Sequence, residues 1–166
     1  MRPALPLSML LLACPSETGP PWSDCEVIGP EHAPEEADGW YRCLDESLED
    51  GGCGDAGYPL GWGGKYARKY MVEVHPELSE DGRAFLEGVL VCLQETLRDG
   101  LAPDATCEDV ADLGFASHVP CYRAHAFCSI PLTDMARIWA AIDEADRGLP
   151  AQEAAMATIR DDCLDG

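Results

Sequence analysis

The cysteines constrain this chain more than any other feature. There are nine. Cys14 closes an apolar leader, and Cys25, Cys43, Cys53, Cys92, Cys107, Cys121, Cys128 and Cys163 are spread through the rest of the chain. An odd count in an exported chain calls for one cysteine with a separate task, while an even set of eight reads as a disulfide framework.

The leader assigns the odd cysteine. M-R-P-A-L-P-L-S-M-L-L-L-A-C carries Arg2, an apolar stretch too short to span a bilayer, and a small residue before the cysteine, which is the layout of an export signal. Leu11-Leu12-Ala13-Cys14 resembles a lipobox. The expectation is cleavage after residue 13, lipid on Cys14, and contact with the membrane through acyl chains alone. Ser16 favours a bacterial outer membrane or cell surface, with plain secretion as the alternative.

Without residues 1–13, ten basic side chains face 31 acidic ones, a formal charge of −21. Such a surface repels nucleic acid and anionic headgroups, and it attracts cations or a basic protein face. The absence of asparagine, with two lysines against nine arginines, fits a GC-rich genome.

Residues 14–34 read as a Pro-rich tether, partly stapled to the domain through Cys25, and residues 35–166 as that domain. Trp40, Cys43, Leu44 and Leu48 share a helical face. Residues 51–64 hold seven glycines and read as a loop, and Lys65–Val74 as a short helix stopped by Pro76. Ser79 caps a long helix closed by Gly100, and Thr106 with Asp109 caps the next. Pro120 opens a helix ending near Pro131. Thr133 caps one bearing Met135, Ile138, Trp139 and Ile142, and Pro150 opens the last. No strand alternation is evident. The fold class is all-α, a small disulfide-stapled domain of five to seven short helices. Cys121 and Cys128, seven apart on one expected helix, lie about 10 Å apart along its axis and must take different partners.

The cysteines from 92 onward follow C-x14-C-x13-C-x6-C-x34-C, within G-R-A-F-L-E-G-V-L-V-C (82–92) and C-Y-R-A-H-A-F-C-S-I (121–130). In these motifs, and in Arg42-Cys43-Leu44 followed by Cys53-Gly54, the chain resembles the stanniocalcins, a family of secreted, disulfide-rich, hormone-like glycoproteins. The resemblance covers about residues 42–163. It implies Cys92–Cys121 and Cys128–Cys163. Cys25, Cys43, Cys53 and Cys107 remain, with three connectivities open, and the expectation is Cys53–Cys107 with Cys25–Cys43. The family's asparagine glycosylation site is absent. So is its C-terminal dimer-forming cysteine, so no covalent dimer is expected.

Against these readings stand a few sharper ones. His118, Cys121, His125 and Cys128 spell H-x2-C-x3-H-x2-C, a donor set suited to zinc or copper, which makes a metal-binding periplasmic lipoprotein the alternative. Asp45, Glu46, Glu49, Asp50 and Asp55 are dense enough for a cation, though a solvated acidic face explains them more simply. Trp40, Tyr41, Tyr66 and Tyr70 beside Lys65, Arg68 and Lys69 make either an exposed contact surface or core rings beside neutralised charges. No G-x-S-x-G, phosphate loop or H-E-x-x-H occurs, so neither enzyme nor cofactor is expected. The reading is a non-enzymatic, lipid-anchored extracytoplasmic domain that binds a protein partner or a cation.

Overall fold

A computed structural model describes residues 19–148 and 150–165. The leader, Cys14 and residues 15–18 of the expected tether lie outside the described residues, and the expectations of cleavage and lipidation lie there with them. Among the described residues there are eight α-helices and no strand: α1 (Gly39–Ser47), α2 (Lys65–Lys69), α3 (Glu80–Gly100), α4 (Cys107–Ala116), α5 (His118–Ala124), α6 (Leu132–Ala140), α7 (Glu144–Arg147) and α8 (Pro150–Asp165). The fold is all-α, and α7 is a single turn.

Two helix starts arise from local chemistry. Ser79 Oγ accepts from the Gly82 N–H at 3.2 Å, with Glu80 and Asp81 in the first turn. Thr106 and Asp109 form a capping box at α4. Thr133 does not cap. α6 begins at Leu132 with Pro131 before it, because a proline presets its own φ and needs no N–H at a helix start.

The glycine-rich stretch departs from the expected loop. Tyr58–Gly64 forms a π-helical turn that runs into α2, followed by a second π turn (Tyr70–Val74) and a 3-10 turn (His75–Glu77). Gly51, Gly52 and Gly54 do occupy the left-handed region that favours glycine. Gly63 and Gly64 instead allow close packing. A Cβ on Gly63 would lie 2.4 Å from Tyr41 Cε1, and one on Gly64 3.2 Å from Tyr41 Cβ. Tertiary contact with α1 overrides the local propensity.

The helix expected from Pro120 to Pro131 also breaks. α5 ends at Ala124, Ala126 is left-handed at φ 56°, and Phe127–Ser129 is a 3-10 turn. The break brings the Phe127 and Tyr122 rings to 5.1 and 5.3 Å from Phe85 on α3. Cys121 and Cys128 therefore do not share one helix. Trp139, expected on the apolar face with Ile138, is instead 36% exposed. α6 stops one residue beyond it, while Ile138 and Ile142 are buried.

α3 forms the centre of the core through Phe85, Leu86, Val89, Leu90 and Leu97. The N-terminal stretch packs against it: Trp22, Cys25 and Ile28 are buried, and the Trp22 indole donates to the Arg98 carbonyl at 3.3 Å. The stretch expected as a tether partly stapled through Cys25 is thus packed on the domain at Trp22, Cys25 and Ile28, anchors that lie between its prolines.

Four disulfides join separate elements: Cys25–Cys43 ties the N-terminal stretch to α1, Cys53–Cys107 the loop after α1 to α4, Cys92–Cys121 α3 to α5, and Cys128–Cys163 the 3-10 turn to α8. On the chain-entropy account each stabilises by about 3 to 4 kcal/mol. A frame of this kind belongs to an oxidising compartment outside the cytoplasm. Among the described residues no helix is long and apolar enough to cross a membrane.

Candidate functional site

The H-x2-C-x3-H-x2-C segment serves as a structural clasp. Cys121 is bonded to Cys92 and Cys128 to Cys163, which removes both thiolates from any ligand set. His118 opens α5, and its Nδ1 donates to the Gly114 carbonyl at 2.9 Å. Burial lowers its pKa and so favours the neutral imidazole. His125 sits just beyond α5, with its ring against Gly88 of α3, where a Cβ would come within 2.2 Å of Nδ1. Among the described residues no group of three or more His, Cys, Asp and Glu side chains is placed to hold a metal ion. Asp45, expected on a solvated face, is buried and accepts from the Cys53 N–H at 2.8 Å, which fixes the loop after α1.

The aromatic and basic cluster is likewise absorbed. Trp40, Tyr41 and Tyr66 are buried, so they make no exposed contact surface. Lys65 Nζ lies 2.5 Å from Asp143 and 2.7 Å from Asp146, and Lys69 Nζ lies 2.6 Å from Asp143. The Tyr66 hydroxyl donates to Asp146 at 2.5 Å and accepts from the Asp143 N–H at 3.0 Å. Hydrogen bonds from Lys65 and then Lys69 hold the Asp143 carboxyl down at about 2. These contacts tie α2 to the start of α7.

The same holds across the molecule. Arg42, Arg98, Arg123, Arg137 and Arg160 pair with Asp38, Asp99, Asp162, Asp134 and Asp161. Arg68, Arg83 and Arg147 donate to backbone carbonyls. Every described lysine and arginine therefore spends its charge or its donors within the chain. With 31 acidic residues present, the outward field is negative. One concave stretch of this surface runs along α3, lined by Ala84, Glu87, Gly88, Val91, Glu95 and Asp99 among others.

Inside the domain lies a separate cavity of about 70 Å³, whose wall includes Tyr58, His118 and Gln152. Tyr58 and Gln152 are unremarked in the sequence because nothing in their own elements sets them apart. No protein-family model matches the chain, and neither does any characterised protein or solved structure.

Proposed function

We propose that this chain is a non-catalytic binding domain that works outside the cytoplasm, carried on a lipid at Cys14 and resembling the stanniocalcins in its cysteine frame. Its partner is a basic face of another protein. The observation that supports this is the internal use of all ten described cationic side chains, which leaves a rigid, disulfide-locked and acidic exterior. Surfaces of one sign steer association with the opposite sign and disfavour like-charged partners. Nucleic acid is therefore not a partner, and membrane contact is left to the acyl chains. The eight paired cysteines leave none in the domain for a covalent dimer.

Zero-length carbodiimide crosslinking on intact cells, which joins carboxylates to lysine amines, tests the reading. The expected product is one lysine-bearing envelope protein joined to α3 carboxylates and lost both in high salt and in the Glu87→Lys, Glu95→Lys double variant. Crosslinks indifferent to salt and to charge reversal would overturn it.

A further inference from the structure

The interior cavity takes no part in that surface reading. Its wall carries the rings of Tyr41, Trp62, Phe115, His118 and Tyr122, and no Asp, Glu, Lys or Arg lines it. Two wall residues hold a polar atom that meets no partner: the Tyr58 hydroxyl and Gln152 Oε1. These residues are 5% and 7% exposed. A buried polar atom without a partner has given up water and received nothing in exchange.

Among the described residues Asp38 Oδ1 and Trp40 Nε1 also lack a partner, but neither residue lines the cavity, and buried polar groups elsewhere are matched. Gln94 makes three hydrogen bonds, and the Tyr70 hydroxyl, on the same cavity wall, donates to the Ile138 carbonyl at 3.2 Å. Nor can Tyr58 turn to find an acceptor. Its ring packs edge to face on Phe115 at 5.1 Å, and a Cβ on Gly114 would lie 2.3 Å from its Cζ. The unpaired hydroxyl is held in place by packing.

From this we infer that the cavity is a binding site for a small neutral phenol, a single aromatic ring bearing one hydroxyl, with Tyr58 and Gln152 as its polar contacts. Neutrality is set by the wall, which offers no counter-charge to a desolvated ion. Desolvation of the His118 imidazole lowers its pKa and so favours the uncharged form. Burial raises the Tyr58 phenol and pushes Tyr122 up to about 12, so no phenolate forms at neutral pH. The ring is called for by walls of ring edges and faces, which favour edge-to-face and offset contacts with another ring. The single hydroxyl answers the unmet demands: it accepts from Tyr58 and donates to Gln152 Oε1, and a hydroxyl does both at once. An apolar cavity of about 150 Å³ holds benzene, and this one, at about 70 Å³, is too small for a ring as it stands. A single ring, and nothing larger, enters when Met71 and Met156, unbranched thioethers on the wall, change rotamer to make room.

The test titrates the oxidised full chain with phenol, benzene and benzoate, monitored by methyl NMR and calorimetry. Phenol is expected to bind saturably at one site, about tenfold tighter than benzene, the modest net gain of two matched hydrogen bonds, with no binding of benzoate. Tyr58→Phe and Gln152→Leu should each weaken phenol by about threefold, and the double variant should bring it to the affinity of benzene, with benzene unchanged throughout. Both single variants should also match or exceed the thermal stability of the ligand-free parent, because each removes an unpaired polar atom, and that measurement confirms that the variants fold. Three results would overturn the proposal: no saturable phenol binding, equal affinity for benzene and phenol in the parent, or a crystal structure grown with phenol in which only ordered waters bridge Tyr58 and Gln152.

Discussion

Gln94 holds Ile28 by both sides of its amide, Oε1 accepting the Ile28 N–H at 2.8 Å and Nε2 donating to the Ile28 carbonyl at 2.9 Å. A side chain of α3 thereby does for the N-terminal stretch what a neighbouring strand does in a sheet. Gln94→Leu keeps the volume but strands two buried backbone groups. The expected loss is about 2 to 4 kcal/mol, read as a lower urea midpoint at unchanged m-value. An unchanged midpoint would show that the stretch is not anchored through this amide.

Gly63 marks the closest approach of the Tyr58–Gly64 turn to α1. Gly63→Ala drives a methyl into the Tyr41 ring and should cost about 1 to 3 kcal/mol. Gly148→Ala is the control, since nothing lies within 4 Å of its Cβ position and its φ is −88°. Its thermal midpoint should stay level or rise slightly.

These two glycines also show what was readable from sequence. A cap needs only its own turn, so Ser79 and the Thr106–Asp109 pair mark helix starts without knowledge of the fold. The all-α, disulfide-stapled character was legible in periodicity and cysteine usage. The Tyr58–Gly64 helix was not, because its glycines take their meaning from Tyr41 on another helix. The break after Ala124 was not either, since neither Gly nor Pro stands at residue 126 and distant rings set the bend. The cavity was least legible. Tyr58 and Gln152 look ordinary until packing shows that neither has a partner.

Ala126 is the one described non-glycine residue in the left-handed region, a position that costs an L-residue about 1 kcal/mol. Ala126→Gly should therefore stabilise the domain, by something less than that figure because glycine also frees the unfolded chain. Chemical denaturation checks the sign. A loss would mean that the Ala126 methyl contributes contacts that outweigh the strain.

The Lys65, Lys69 and Asp143 cluster makes stability depend on pH. The folded carboxyl sits at about 2, whereas an unfolded aspartate titrates near 4. A carboxylate depressed in the folded state contributes stability that is fully present above the unfolded value and is lost as pH falls through the folded one. The thermal midpoint of the parent should therefore fall between about pH 4 and pH 2. Asp143→Asn should be lower at pH 7, fall less across that window, and meet the parent near pH 2. Parallel curves would show that the lysines do not act on this carboxyl.

The last helix is held mainly at its far end. Cys163 bonds to Cys128, and Arg123 reaches Asp162 at 2.6 and 2.8 Å, while Gln152 and Ile159 are the buried side chains among its described residues. An exposed ion pair contributes at most about 1 kcal/mol, against about 4 kcal/mol from a disulfide closing a loop of this length. Loss of the bridge should thus loosen α8 before anything else. In the Cys128→Ser, Cys163→Ser double variant, amide exchange should quicken markedly over residues 150–165 while α3 keeps its protection. Because Gln152, Met156 and Ile159 line the cavity, the same variant should also widen access to it. Exchange that quickens equally in α3 and α8 would instead mean that the two open together, with the disulfide stabilising the domain as one cooperative unit.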